Sequence, residues 1–258
     1  MAAQLSWDLH VHPGPSSIPR WGTGAEIQAA AKRAGLSGFV WKSHEHETAK
    51  DCAALGSAPR AIGAAVLNGW ATPASVDAAI ADGARWVWGP TFVGPNAGWD
   101  IALPAEWPAY AALFAGSKKP LVLGTGHMGA DGRRAFAELA AGHAHLQCSV
   151  THSLYLDRTE VTALRELGVV FEVDMYTALR PIPGRPPITY TDGIRALRDW
   201  GATVYLTTDF GQLDMGDPYV RSAKVLAVLA SDIGQDAVNE VAVVNPASVA
   251  AHALQGSA

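Results

Sequence analysis

His10 and His12 stand two residues apart in Ser6-Trp7-Asp8-Leu9-His10-Val11-His12-Pro13-Gly14, close to the amino terminus. Imidazole nitrogens are good ligands for divalent first-row metals, and two on one short segment can converge on a single ion. The flanking residues say how they would be presented. Trp7, Leu9 and Val11 alternate with Asp8, His10 and His12, the period of a β-strand, whose side chains point to opposite faces in turn. The alternation predicts three polar side chains on one face, with the two imidazoles about 7 Å apart along the strand. Pro13-Gly14-Pro15 ends the strand, so the pair lies at its carboxyl end. An edge strand with one wet face would show the same pattern, so the metal reading needs further ligands from elsewhere.

Such residues recur where apolar runs end. His127 follows Leu121-Val122-Leu123-Gly124-Thr125-Gly126, His152 follows Ser149-Val150-Thr151, and Asp209 follows Tyr205-Leu206-Thr207-Thr208. Each alone is an ordinary polar residue at a loop start. Five metal-type side chains in equivalent places are a constellation. Lys42 closes Gly38-Phe39-Val40-Trp41-Lys42, and His44 follows in Ser43-His44-Glu45-His46-Glu47. Trp41 and Ser43 point away from the face shared by Lys42 and His44. Glu172 fits a buried acid or a partner that orients a histidine. His46, His143, His145 and His252 read as loop or surface residues.

The elements that would hold these residues repeat along the whole chain. Strands are predicted at 38–42, 60–67, 85–88, 120–125, 146–151, 169–173 and 203–208 after the first, each followed by a helical segment. Thr23 and Glu26 form a capping box opening a helix that Gly35 ends. Pro73 starts another and Gly83 closes it, and further helices are expected at 107–115, 131–141, 157–167, 191–200 and 218–231. Eight strand–helix units predict an α/β fold, a (β/α)8 TIM barrel spanning 1–258 as a single domain, with its active site at the carboxyl ends of the strands. An open doubly wound sheet is the alternative, but no glycine-rich phosphate fingerprint follows the first strand.

Composition narrows the partners. The chain has 258 residues, 49% hydrophobic and 17% charged, with a net charge of −5. No Lys/Arg block is present, which argues against nucleic acid or an anionic membrane. No apolar run reaches the roughly 18 residues of a membrane span. Two isolated cysteines, Cys52 and Cys148, fit a reduced, cytoplasmic setting. The expected partner is a small-molecule substrate, and a homo-oligomer is compatible with the composition.

His-x-His on strand one, histidines after strands five and six and Asp after strand eight resemble the metal-dependent amidohydrolase superfamily. Val244-Asn245-Pro246-Ala247-Ser248-Val249 is similar to the Asn-Pro-Ala segment of its last helix. The resemblance covers nearly the whole chain. It implies a metal shell of His10, His12, His127, His152 and Asp209, with Asp209 also accepting the proton of the attacking water. It implies one or two divalent ions, zinc first, with manganese or iron as alternatives. Binuclear members carry a bridging Lys or Glu at the end of strand four; Arg85-Trp86-Val87-Trp88-Gly89 has neither, leaving Lys42 and His44 as candidates. The turn carrying His44 is also similar to the polymerase-and-histidinol-phosphatase family.

The expected activity is hydrolysis of an amide, cyclic amide, lactone or ester of a small molecule. A phosphoesterase, a mononuclear decarboxylase of aromatic acids and a non-catalytic binding barrel are the alternatives. On the substrate side, Arg180 and Arg185 flank Pro181-Ile182-Pro183-Gly184 and suit a carboxylate, and Arg20 beside Trp21 is a similar case. Trp41, with Trp70, Trp88, Trp99 and Trp107, is a candidate for an apolar wall.

Overall fold

The structure is a computed structural model that describes residues 4–93, 96–179 and 189–256. Eight parallel strands follow one another around a nearly closed barrel: β1 (Trp7–Val11), β2 (Gly38–Trp41), β3 (Arg60–Val66), β4 (Trp86–Trp88), β5 (Leu121–Gly124), β6 (Leu146–Val150), β7 (Val170–Asp174) and β8 (Val204–Thr207). β8 returns to β1 beyond its last residue, where Asp209 N donates to His10 O (2.7 Å) and His12 N to Phe210 O (2.8 Å). That closure joins the two ends of the chain's repeat and delivers Asp209 beside the histidines of β1.

Two apolar layers follow from the period of two. Val40, Val66, Trp86, Trp88, Val122, Val170 and Tyr205 form one buried cluster inside the barrel. Phe39, Val87, Leu121, Leu123, Phe171 and Leu206, the alternate residues, pack in the second cluster with the surrounding helices. Helix α1 (Gly24–Arg33) illustrates the outer layer. Thr23 and Glu26 make the expected capping box, and Ile27, Ala30 and Ala31 turn inward. Gly24 is required there, because a Cβ would lie 2.0 Å from the Trp41 ring. The remaining helices are α2 (Ala49–Ala54), α3 (Pro73–Asp82), α4 (Trp107–Gly116), α5 (Ala130–Ala141), α6 (Arg158–Arg165), α7 (Met175–Leu179), α8 (Tyr190–Asp199), α9 (Pro218–Ile233), α10 (Gln235–Asn239) and α11 (Asn245–Leu254).

Helix α11 closes the amino-terminal end of the barrel. Its Val249, Ala250 and Ala253 join the interior cluster with Trp7 and Leu9, and Asn245 Nδ2 donates to Val204 O (2.7 Å) at the start of β8. The Asn-Pro-Ala segment therefore anchors the plug. An apolar plug thus occupies that end of the barrel, and the polar strand-end residues lie at the other.

β1 departs from strict alternation. Its register against β2 slips between Asp8 and Val11, a bulge that places two residues opposite one. Trp7 and Leu9 lie in the interior cluster while Val11 lies in the outer one. The slip lets Leu9 fill the interior and His10, the next residue, still face the mouth. Asp8 is not part of the histidine group: it accepts from Thr207 Oγ1 (2.6 Å), Thr208 N (3.0 Å) and Thr208 Oγ1 (2.7 Å), tying β1 to β8. The expectation that Asp8 shares the face of His10 and His12 is corrected by this bulge, while the two histidines do come together, Nε2 to Nε2 at 3.2 Å.

The segment between β4 and α4 contains a hairpin of Phe92–Val93 and Asn96–Ala97. No helix among the described residues is long and apolar enough to cross a membrane.

Candidate metal centre

Five side chains meet at the carboxyl ends of the strands. His10 and His12 leave β1, His127 and His152 follow β5 and β6, and Asp209 follows β8. His10 Nε2 and His12 Nε2 are 3.2 Å apart, and each is 3.0 Å from Asp209 Oδ1. His127 Nε2 and His152 Nε2 are also 3.2 Å apart. The two pairs are contiguous, with the His10 and His152 ring centroids 5.8 Å apart.

The outward nitrogens decide what the inward ones are. His12 Nδ1 lies 3.0 Å from Lys42 O and His127 Nδ1 lies 2.8 Å from Gly98 O. A carbonyl only accepts, so both Nδ1 atoms carry the proton and, in the neutral rings, both Nε2 atoms carry a lone pair. His10 Nδ1 donates to Glu172 Oε1 (2.8 Å) and His152 Nδ1 to Asp174 Oδ2 (2.6 Å). Every Nδ1–H is thus spent on an oxygen, and all four Nε2 atoms turn inward.

Such a convergence of acceptors is unfavourable without a positive charge among them. The His12 Nε2 lone pair and Asp209 Oδ1 face one another at 3.0 Å. Tetrahedral zinc with ligands at about 2.0–2.1 Å would hold neighbouring donors about 3.3 Å apart; the observed 3.0–3.2 Å spacing fits such a donor set. Acceptor partners behind each histidine are the arrangement that fixes tautomer and raises basicity at metal sites.

The electrostatics agree. Burial disfavours charge on His10, yet Asp209 and Glu172 on either side push its pKa up to about 9. Burial also works to raise Asp209, but His10 and His12 hold its carboxyl well below the usual carboxylate range. Positive charge is stabilised where these three meet. His12 and His127 are pushed well below the usual imidazole value, mainly by burial, so they remain neutral donors.

Lys42 is buried, with its Nζ 3.0 Å from His10 Nε2. It also lies 4.9 Å above the Trp88 ring, so the end of β4 supplies an aromatic floor in place of an acid. Burial lowers Lys42 to about 8 despite Asp209, Glu172 and Asp174 nearby. His44 borders the same cavity but stacks on the His12 ring (4.5 Å, 23°), its Nδ1 paired with Thr91 Oγ1 at 2.8 Å. The donor atoms that meet within 4.8 Å among the described residues are those of His10, His12 and Asp209 and those of His152, Glu172 and Asp174; His44, like His127, belongs to neither set.

Two of the three described non-glycine residues with positive φ belong to this centre, His152 (57°) and Asp209 (50°). That left-handed conformation costs of order 1–3 kcal/mol each and is retained where surroundings enforce it. Gly211, two residues on, has φ 128°, and a Cβ there would sit 2.1 Å from His12 O.

Trp41 is a correction. It is buried in the outer cluster against Gly24 of α1, on the opposite face of β2 from Lys42, and does not line the cavity. Arg180 and Arg185 lie outside the described residues. Trp99 does reach the site, stacked on His127 at 4.2 Å with an interplanar angle of 7°. Asp174 was not anticipated, because the seventh strand was expected to stop at Val173. A cavity of about 230 Å³ over the centre is bordered by His12, Lys42, His44, His127, His152 and Asp209, with Ile18, Arg20, Phe92, Trp99, Tyr176 and Gln212 as its outer walls.

Residues 6–100, from β1 through the hairpin after β4, match the profile of a family of unknown function (DUF6282). No curated protein matches the sequence. Among solved structures, A. niger ochratoxinase is similar at 12% identity, over 94% of this chain and 70% of that one, with a TM-score of 0.64. A protein described as an amidohydrolase is 13% identical over 97% and 75%, TM-score 0.63. A prolidase complexed with N-methylphosphonate-L-proline is 14% identical over 98% and 75%, TM-score 0.59. Mandelate oxidase with benzoyl-formic acid is similar at 17% identity, TM-score 0.52. These likenesses show the barrel; chemistry has to be argued from the site.

Proposed function

We propose that the protein is a metal-dependent hydrolase of a small-molecule amide, cyclic amide, lactone or ester. One observation carries the reading: four imidazoles at the barrel mouth have their Nδ1–H groups all bonded outward and their Nε2 atoms paired at 3.2 Å, the His10–His12 pair meeting Asp209 Oδ1 at 3.0 Å. His10, His12 and Asp209 would hold one divalent ion, and His127 and His152 a second, with Lys42 between Trp88 and His10. When bound, such an ion polarises a carbonyl and acidifies water.

The chain's own groups supply the rest. Asp209 is the only carboxylate among the described residues bordering the cavity, so it is assigned as proton acceptor from the attacking water and donor to the leaving group. Glu172 holds His10 and is itself fixed by the Tyr205 hydroxyl (3.0 Å). Asp174 holds His152 while accepting from Thr177 N (2.7 Å) and Thr177 Oγ1 (2.8 Å). Thr177 and Tyr176 also border the cavity. Phe92 and Trp99 exclude water from one side. The superfamily of the similar ochratoxinase, prolidase and amidohydrolase supports hydrolysis over other chemistries of the barrel. The phosphoesterase alternative drew on His44, whose stacked geometry lends it no support.

The test is metal analysis of purified protein reconstituted with zinc, manganese or iron(II), with a panel of small amides, lactones and esters assayed in parallel. Retention of at least one equivalent of metal, and hydrolysis that a chelator abolishes and metal restores, is the expected outcome. Hydrolysis that survives complete metal removal would sink the reading.

A further inference from the structure

Two residues bordering the cavity each carry a buried polar atom with no partner among the described residues. These atoms are Arg20 Nε and Gln212 Oε1. Buried polar groups are nearly always paired, and an unpaired buried guanidinium nitrogen is costly. Some arginines of this chain pair with acids, as Arg33 does with Asp217 (3.1 Å) and Arg133 with Glu160 (2.6 Å); Arg85, whose Nε is also unpartnered, bonds the Ile80 and Ala84 carbonyls and lies away from this cavity. Arg20 makes no ion pair among the described residues: the nearby Glu45 is bonded to Ser17 N and Oγ, and Asp209 is engaged with His10 and His12.

The two residues are held as a unit. Arg20 and Gln212 are backbone neighbours across an antiparallel bridge, and Trp21 N donates to Gly211 O (2.8 Å) beside it. Gln212 Nε2 donates to Asp209 O (3.2 Å), which orients the carboxamide and leaves Oε1 as a free acceptor. The mouth thus presents, side by side, a cationic donor fork and a neutral acceptor.

We propose that Arg20 and Gln212 form a subsite for a carboxylate with an adjacent N–H, so that the ligand class is an N-acyl amino acid. Arg20 takes the carboxylate and Gln212 Oε1 the amide N–H next to it. The acyl carbonyl then points toward His12 and Asp209, and the acyl chain meets Phe92 and Trp99. Recognition by Arg20 and Gln212 stands on the unpaired atoms; cleavage of the acyl bond rests on the hydrolase reading above.

The probes are N-acetylglycine, N-benzoylglycine and N-octanoylglycine, each with its uncharged carboxamide, titrated calorimetrically into zinc-reconstituted and chelator-treated protein. At least one acid should bind more than tenfold tighter than its carboxamide. Arg20→Met should reduce that preference toward unity, a loss of roughly 10- to 100-fold for a charge-assisted contact. Arg20→Lys should keep part of it, as a charge without the fork, and Gln212→Leu should weaken acid and carboxamide alike. Arg33→Met, remote from the cavity, is the control for folding and net charge and should retain the preference. The proposal is overturned if no acid binds, if acids and carboxamides bind equally, or if Arg20→Met and Arg20→Lys both keep the preference. Metal content and amine release in the same samples report separately on hydrolysis. Acid preference without metal or release would sink the hydrolase reading alone, and metal with no acid preference would sink the Arg20 subsite alone.

Discussion

The two histidine pairs of the mouth look alike and are built differently. His10 and His12 share one strand, and their third donor arrives through barrel closure, Asp209 N bonding His10 O. His127 and His152 come from two neighbouring strands and, among the described residues, neither Nε2 has a carboxylate beside it. Behind them, Glu172 and Lys42 O hold the first pair, and Asp174 and Gly98 O the second. The first pair has a carboxylate, Asp209, at its focus, which attracts any cation; the second has its carboxylate, Asp174, behind His152 on Nδ1. Two donors plus a carboxylate should bind a divalent ion more tightly than two donors alone. On the proposed reading, the pair that the sequence shows first is also the one that would hold an ion harder.

The largest expected effect tests that ranking directly. His10→Ala should abolish the tight equivalent of zinc, whereas His152→Ala should remove only the weaker one. Stoichiometry by elemental analysis after dialysis against a competing chelator reads the difference, and equal losses in the two variants would break the ranking. Asp209→Asn keeps the shape and removes the charge, so zinc affinity at the first pair should fall sharply. Turnover on any substrate identified should drop roughly 10²–10⁴-fold, the scale for losing a general base; near-normal turnover would assign proton transfer elsewhere.

A smaller effect lies one layer back. Glu172→Gln and Asp174→Asn each remove the charge behind one histidine and should weaken zinc at that pair roughly 10- to 100-fold. The variants differ in collateral cost. Asp174 also accepts from Thr177 N and Oγ1 at the start of α7, so Asp174→Asn should lower the melting temperature more than Glu172→Gln. Thermal unfolding in chelator separates this from zinc loss; equal shifts would mean that α7 does not depend on Asp174.

The same contrast explains what was legible beforehand. Strand and helix order could be read because interior and outer layers repeat with fixed period, and because Thr23, Pro73, Gly83 and Asp157 cap helices by local chemistry. The convergence of His127, His152 and Asp209 could be expected because all three follow apolar runs. The bulge in β1 could not, since a slipped register leaves no mark in an alternating pattern. Asp174 carried a usable signal, two residues beyond Glu172 and hence on the same face. Trp41 carried one too: beside Lys42, strand parity placed it outside the barrel. Trp99 was among the wall candidates, but its stacking on His127 and the role of Gly98 O were hidden in a Gly- and Pro-rich loop, where tertiary contact, not local pattern, sets their place.

Trp99 gives the finest test of the second pair. Its ring lies parallel to His127 at 4.2 Å and edge-on to His152 at 5.3 Å, and its neighbour Gly98 supplies the carbonyl that fixes the His127 tautomer. Stacking of this kind contributes about 0.5–1.5 kcal/mol beyond area burial. Trp99→Leu removes the stack while leaving the Gly98 carbonyl and all five donor side chains in place. Without the parallel ring, His127 gains rotational freedom that zinc binding must again restrict. Zinc affinity at the second pair should therefore fall about 2- to 10-fold, with the first pair unchanged. Titration with a fluorescent zinc indicator resolves the two steps, and a shift in the tighter step instead would show that the two pairs act as one site.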